Sequence, residues 1–296
     1  MLFRSLAPDQ LLAALLPPEE LAAQVARALA EDLGAAGDVT SIAMVPAEAR
    51  AVAVVRVRTP GIVCGGAVAQ EVLRQAAPGS NCSQHLQDGE RAGAGAAFLS
   101  IEGQLRGILA AERTLLNYVG RLSGIATLAS RFVEGTQGTR ACVCDTRKTT
   151  PGLRMLEKWA VRCGGGMNHR IGLFDAMLVK DNHVAGLAPA AMAERVARAA
   201  AEARARTPLR FVEVECDSLD QLRAILALPA GTVDMVLLDN MLPAQLREAV
   251  ALRDAAAPGV LLEASGGVHL DDVAAVAATG VRSEEHTSEL QSRQYL

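Results

Sequence analysis

From residue 141 the chain repeats one pattern: a short apolar run, a polar ending, then an amphipathic helical stretch. The apolar runs are ACVCDTR (141–147), AMLVKDN (176–182), RFVEVEC (210–216), DMVLLDN (234–240) and GVLLEASGG (259–267). Helical spacing occupies 152–163, 188–205, 218–228, 243–257 and 269–279. Short buried strands separated by crossover helices pair in parallel. A parallel sheet gathers its carboxyl ends on one rim, and ligands bind there in barrels and in open sheets alike. No strand opens into a GxGxxG turn, so an α/β barrel is the expected architecture. The endings DTRKT, KDNH, ECD, DN and SGG then converge on one mouth.

The first 115 residues mix helix and strand. Residues 18–33 show helical spacing with acids in the first turn, closed by Gly34. The run AVAVVRVR (51–58) alternates like a half-buried strand that Pro60-Gly61 ends, a helical stretch follows Gly66, and short strands are expected near Asp88-Gly89 and over 96–101. Residues 105–133 form the longest amphipathic pattern, as one helix with a glycine break or two in tandem. The expected division is an N-terminal domain over 1–115 and a barrel domain over 116–281.

Half of the 296 residues are hydrophobic, enough to bury a core and to exclude a wholly disordered chain. No apolar run approaches the roughly 18 residues of a membrane span. The N-terminus lacks the charged start and small-residue cleavage site of a signal peptide. A cytoplasmic location with no membrane partner is therefore expected. A net charge of -4 offers no basic excess for nucleic-acid phosphates. Six cysteines without CxxC spacing are expected as buried, reduced thiols.

The strand endings carry the chemistry. Only three lysines, Lys148, Lys158 and Lys180, stand against 26 arginines, and all three fall within 148–180. A lysine retained in such a chain suits a role for a compact ammonium, with chance clustering as the bland alternative. The loop Asp145-Thr146-Arg147-Lys148-Thr149-Thr150-Pro151-Gly152 places two cations and three hydroxyls where dense negative charge can bind. His169-Arg170 follows Gly164-Gly165-Gly166, a run that lets backbone approach a ligand. Lys180 ends an apolar strand, where the alternative to a ligand is a salt bridge to Glu213, Glu215 or Asp181. Glu213 and Glu215 lie two apart on one strand, so both face inward if Val212 and Val214 pack outward. Two inward acids call for cations, a metal or a shared proton. Asp239 ends the next strand, and Glu215 with Asp239 could hold Mg²⁺ or stabilise a developing positive charge. Ser265-Gly266-Gly267 precedes a helix expected to begin near His269, whose N-terminus would suit a phosphate. Together these groups suit a phosphorylated polyanion and a cationic transition state, as glycosyl transfer from a ribosyl pyrophosphate requires.

The motifs GDVTS (37–41), AERTLLN (111–117), SGIAT (123–127), DTRKTTPG (145–152), GGGMNHR (164–170), LVKDNH (178–183), VEVECDSL (212–219), LLDN (237–240) and EASGG (263–267) follow one another in the order of the quinolinate phosphoribosyltransferases, which this chain resembles. The resemblance implies an N-terminal α/β sandwich domain plus an incomplete, open α/β barrel. It implies conversion of quinolinate and phosphoribosyl pyrophosphate to nicotinate mononucleotide, pyrophosphate and CO₂ with Mg²⁺, in NAD synthesis. It further implies a homodimer or larger homo-oligomer with shared active sites. By matched motif, Arg147, His169, Arg170 and Lys180 resemble the pocket for the quinolinate carboxylates, with Thr146 in the same loop. Lys148 resembles a residue on the phosphoribosyl pyrophosphate side, and Arg113 an arginine supplied across the dimer interface. Glu215 and Asp239 resemble residues at the ribose and Mg²⁺, and Ser265, Gly266 and Gly267 those that hold the 5′-phosphate. Lys148, Lys180, Glu215 and Asp239 are the catalytic candidates.

From Arg282 the chain reads RSEEHTSELQSRQYL, which resembles a translated sequencing adapter and departs from the family pattern. Residues 282–296 are therefore expected to be a non-native tail on a C-terminally truncated barrel. Residues 283–296 are expected to be disordered or loosely helical, GVLLEASGG an unpaired edge, and the chain less stable and nearly inactive. Three other functions compete: a molybdate-operon paralogue of the same fold, a Schiff-base aldolase using Lys180, and a non-catalytic scaffold.

Overall fold

The computed structural model of the chain describes residues 8–281 and 283–285. It divides into two compact units, one of described residues 8–130 with 150–165, the other of 131–149 with 166–281 and 283–285. The boundary expected at 115/116 falls inside a long helix.

The first unit opens with helices α1 (Pro8–Leu15), α2 (Pro18–Leu33) and α3 (Val39–Met44). Proline occupies the start of α2, where its missing N–H costs no helical bond, and Glu19 and Glu20 meet the positive end of the helix dipole. Asp38 caps α3 by accepting the backbone N–H of Ser41 at 3.0 Å. Strands β1 (Arg50–Arg56), β2 (Gly61–Ile62), helix α4 (Gly66–Ala76), β3 (Asn81–Gln84), β4 (Arg91–Ala92) and β5 (Ala97–Gln104) follow. They pair antiparallel as β1-β5-β3 and as a separate β2-β4 ribbon. The alternation read at 51–58 is the pleat of β1, whose residues alternate between exposed and half-buried.

Helix α5 (Leu105–Gly135) is continuous, so neither a glycine break nor a tandem pair occurs. Its buried positions Ile108, Ala111, Leu115, Tyr118, Leu122, Ile125 and Ala129 recur every three to four residues, the spacing of one helix face. Ser123 and Thr127, one turn apart, accept the N–H groups of Cys64 and Ile62 at 2.9 and 2.8 Å. The SGIAT motif thus binds α5 to the ribbon. Helix α6 (Arg154–Cys163) completes this unit. Gly164 lies against α5, where a Cβ would stand 2.3 Å from the Ala126 carbonyl oxygen. The first glycine of the triple run therefore serves helix packing rather than approach to a ligand.

The second unit contains the expected β/α alternation. Its elements are β6 (Cys142–Cys144), β7 (Met177–Val179), α7 (Asp181–Val184), α8 (Pro189–Arg206), β8 (Val212–Cys216), α9 (Leu219–Leu226), β9 (Met235–Asp239), α10 (Pro243–Ala256), β10 (Leu261–Ser265), α11 (Val273–Ala277) and β11 (Ser283–Glu285). All six strands are parallel, in the order β6-β11-β10-β9-β8-β7. Strands β6 and β7, first and last in that order, share no ladder among the described residues, so the sheet these residues form is open. Val212, Val214, Val236, Leu238, Leu262 and Ala264 join Met192, Val196, Leu222, Ile225 and Leu246 in one buried cluster. Each such aliphatic side chain contributes about 1.5–3 kcal/mol of burial. Period two then turns Glu213, Glu215 and Glu263 to the opposite face, as expected for the first two.

Two expectations are corrected. Strand β10 is not an edge, because Glu263 and Ala264 pair with Ser283 and Glu284, and β11 pairs onward with β6. Backbone pairing is indifferent to side-chain polarity, so a polar sequence has entered the ladder. Residues 282 and 286–296 of the expected tail lie outside the described residues. The helix expected at His269 begins only at Val273 and has five residues. Two successive glycines at positive φ, Gly266 (91°) and Gly267 (63°), lead into an irregular segment instead. Among the described residues, no helix is long and apolar enough to cross a membrane.

Candidate active site

Every sequence candidate except Arg113 falls in the second unit, at or beside the carboxyl ends of its strands. Arg113 is exposed on α5 in the other unit.

The end of β6 is built around Asp145, which is fully buried. Its carboxylate accepts the His169 N–H at 2.9 Å and the Asn168 side-chain amide at 2.6 Å, while its own N–H donates to the Met167 carbonyl at 2.9 Å. Asp145 thereby joins the DTR and NHR segments, 24 residues apart in sequence. At the far end of the same segment, Asp175 accepts the N–H groups of Ile171 and Gly172, with Arg210 3.4 Å away. Two buried aspartates thus clamp the segment that carries His169 and Arg170, both 7 % exposed.

Thr146 is also buried, and its hydroxyl accepts the Lys148 N–H at 2.8 Å. It shapes the turn that presents Arg147 and the exposed Lys148. The hydroxyls expected to bind an anion have local partners too: Thr149 donates to the Arg147 carbonyl at 3.4 Å, and Thr150 accepts from Arg121. Lys158 is fully buried on α6, in the first unit, and takes no place among these strand ends.

Lys180, at the end of β7, donates to Glu215 at 2.8 Å; the lysine side chain is 45% exposed and that of Glu215 8%. The salt bridge weighed from sequence is therefore present, and it sits at the rim. The Lys180 N–H donates to Nδ1 of His183 at 2.8 Å, which closes the KDNH turn. Glu215, Asp217 and Asp239 bring carboxylate oxygens within 4.8 Å of one another. Burial, then the nearby Glu215 charge, hold the carboxyl groups of Asp217 and Asp239 above their ordinary range. Three acids against one ammonium leave a site with excess negative charge, suited to a hard cation or an electron-poor carbon.

One layer deeper, His169 Nε2 lies 2.9 Å from Glu213 and 3.8 Å from Glu263, both fully buried. In the register Glu213 pairs with Met235, two residues before Leu237, with which both Glu215 and Glu263 pair. Ser265, 6 % exposed, pairs with Asp239 across the rim. Its carbonyl accepts the Asn240 N–H at 2.9 Å, and the Asn240 amide donates to Asp239 at 2.6 Å. Asn240 has a positive φ of 53°, and a Cβ on Gly266 would meet its Oδ1 at 2.2 Å. The glycine of SGG is therefore required by its conformation and by its neighbour. Asp145, Asp217, Asn240 and Glu263 were not among the sequence candidates. Each lies within or beside a quoted strand ending, which was the available signal.

None of the six cysteines forms a disulfide among the described residues; Cys64, Cys144, Cys163 and Cys216 are buried as expected, whereas Cys82 and Cys142 are only half-buried, and burial pushes the Cys216 thiol up to about 12.

Two family models match consecutive stretches: the quinolinate phosphoribosyl transferase N-terminal domain over residues 38–123 and its C-terminal domain over 125–294. The chain belongs to the quinolinate phosphoribosyltransferase family. It is 45% identical over 259 residues to the nicotinate-nucleotide pyrophosphorylase (carboxylating) of Mycobacterium leprae, covering 87% of this chain and 88% of the relative. It is 38% identical to the probable enzyme of that name from Bacillus subtilis, covering 85% and 82%. A solved nicotinate-nucleotide pyrophosphorylase from Francisella tularensis superposes with a TM-score of 0.83 at 34% identity, over 95% of this chain and 94% of that one. The family's phosphoribosyl-transfer chemistry fits a rim that carries both cations and acids.

Proposed function

We propose that this protein transfers the phosphoribosyl group of phosphoribosyl pyrophosphate to quinolinate with decarboxylation, giving nicotinate mononucleotide, pyrophosphate and CO₂ for NAD synthesis. The observation that carries the reading is the division of the rim into two charge zones joined by the Lys180–Glu215 pair. On one side stand Arg147, His169, Arg170 and Lys180, whose cationic groups match a pyridine dicarboxylate. On the other stand Glu215 and Asp239, which favour positive charge at the ribose C1′ as its bond to pyrophosphate breaks. The pyridine nitrogen supplies the electron pair of the new bond, and pyrophosphate leaves with the pair of the old one. The resulting pyridinium accepts the electrons of the C2–carboxylate bond as CO₂ departs, and a proton then replaces CO₂ at C2. Cations around the carboxylates hold the ring in register for both steps.

We assign Lys148, exposed in the 145–152 loop, to the pyrophosphate side, and Ser265, Gly266 and Gly267 to the 5′-phosphate. A Schiff-base role for Lys180 is disfavoured by its pairing with Glu215, since a charge partner is not the neutral amine that reaction needs. The three clustered carboxylates of Glu215, Asp217 and Asp239 fit a magnesium ion, which prefers oxygen ligands in a partly open site. When bound, Mg²⁺ would supply positive charge to the pyrophosphate oxygens. We further assign Arg113 to a neighbouring subunit's site in a homodimer, and the protein to the cytoplasm.

The test is pyrophosphate release with phosphoribosyl pyrophosphate and Mg²⁺, with and without quinolinate, together with capture of CO₂ from carboxyl-labelled quinolinate. Equal amounts of pyrophosphate and CO₂, dependent on quinolinate, are expected. Pyrophosphate release without CO₂, or none at all, would reject the assignment.

A further inference from the structure

We propose that Asp175 is a positioning residue for the quinolinate pocket: by accepting the N–H groups of Ile171 and Gly172, its buried carboxylate holds the backbone that presents His169 and Arg170. The proposal rests on the quinolinate reading for the identity of the substrate. The Ile171 nitrogen lies 3.1 and 3.0 Å from the two Asp175 carboxylate oxygens, and the Gly172 N–H donates to Oδ1 at 2.9 Å. Ile171 and Asp175 are each 8 % exposed, so the carboxylate takes the place of water on these donors. Between them, Leu173 and Phe174 are 72 % and 70 % exposed. A Cβ on Gly172 would stand 2.5 Å from the Phe174 ring, so that ring lies along the backbone of its own turn rather than in a core. Side-chain burial at the tip therefore contributes little to the shape of this turn, and the bonds to Asp175 set it.

Asp175 is itself fixed by the sheet. The Arg210 N–H donates to its carbonyl at 2.9 Å and the Met177 N–H to the Phe211 carbonyl at 3.1 Å, which begins the pairing of β7 with β8. The Phe211 ring meets the His169 ring edge-on, with centroids 4.9 Å apart. Asp175 thus ties the turn after Arg170 to the strand pair on which the His169 ring rests. With Asp145 on the His169 N–H, the backbone is held on both sides of the two residues assigned to the substrate carboxylates. A carboxylate makes the stronger kind of hydrogen bond to an N–H, and a displacement of about 1 Å in a binding group can cost a hundredfold in rate. Asp175 acts through the turn and not on the substrate. Its influence falls on quinolinate, because Lys148 and the Ser265-Gly266-Gly267 turn, assigned to the phosphoribosyl donor, belong to other strand ends.

The test is steady-state kinetics with each substrate varied in turn, together with backbone amide exchange. In Asp175→Ala the KM for quinolinate should rise about tenfold or more, while that for phosphoribosyl pyrophosphate stays within about twofold. Asp175→Asn keeps one acceptor oxygen and should fall between the parent and the alanine variant. The Ile171 and Gly172 amides should be protected from exchange in the parent protein and lose that protection in Asp175→Ala, with β8 unchanged. Unprotected Ile171 and Gly172 amides in the parent overturn the proposal, and this measurement needs no variant to fold. A folded Asp175→Ala with an unaltered quinolinate KM, or with both KM values raised alike, overturns it as well. If the parent protein shows no turnover of quinolinate, the functional reading falls, whereas the exchange of these two amides still decides whether Asp175 holds the turn.

Discussion

Replacing Gly266 by alanine should be among the most damaging one-carbon changes in the second unit. Gly266 has a φ of 91°, and the added Cβ would stand 2.2, 2.6 and 2.8 Å from Oδ1, Cγ and the backbone N of Asn240. The left-handed conformation costs an L-residue about 1–2 kcal/mol. Forcing one carbon into a filled space adds about 1–3 kcal/mol, so the total is about 2–5 kcal/mol. For a chain of this size that corresponds to a fall in melting temperature of about 4–20 °C, measurable by calorimetry. Asn240→Gly removes two of the three clashing atoms but leaves the backbone nitrogen, so the double variant should recover part of the loss. A coupling of at least about 0.5 kcal/mol between the two sites is expected. Activity should fall further than stability, because the displaced Asn240 also donates to Asp239. A Gly266→Ala protein melting within about 2 °C of the parent would refute the reasoning, as would strict additivity with Asn240→Gly.

Three other outcomes follow from the rim. Lys180→Met should lower kcat/KM by about a hundredfold or more, while the partly exposed pair it breaks costs at most about 1 kcal/mol of stability. Lys148→Ala should abolish turnover with an unchanged melting curve, and normal kcat/KM in either variant would remove that lysine from the mechanism. Asp217 is held above the ordinary carboxylate range by burial, Glu215 and Asp181, so its proton is bound more tightly folded than unfolded. Its favourable contribution is complete below the ordinary range and is lost as pH rises through the raised folded value. Asp217→Asn should therefore melt higher than the parent near neutral pH, with the gain vanishing in acid. A gain that persists unchanged into acid would contradict this. Inactive Arg113→Ala and inactive Lys148→Ala subunits, once exchanged, should recover partial activity in mixed dimers; no recovery after verified exchange would make each site self-contained.

Much of the second unit was legible in the chain. Apolar runs of five residues or fewer between amphipathic stretches specify parallel strands and crossover helices, because no other arrangement buries both. Period two placed Glu213 and Glu215 on one face, and polar strand endings placed the candidates on one rim. The lysine count singled out Lys148 and Lys180, though the same count included Lys158, which lies buried on α6 in the other unit. Local pattern also misread some segments. Helix α11 begins four residues later than expected, since Gly266 and Gly267 at positive φ divert the chain first.

What the tertiary structure alone decided is which group meets which. The sequence established that two glutamates face inward; only the pairing of β7 with β8, Val179 opposite Val214, brings Lys180 to Glu215, and only the Asp145 anchor brings the His169 segment beside Glu213. The glycine of GGG that looks free for a ligand is occupied by Ala126 of α5, and the hydroxyls of SGIAT by the backbone of β2 and Cys64. A polar tripeptide pairs between β10 and β6 although no pattern in it reads as a strand. Periodicity states the face a side chain takes, because it follows from the dihedral angles of its own segment. Partners separated by tens of residues are set by strand order and register, which arise from packing the whole sheet against its helices.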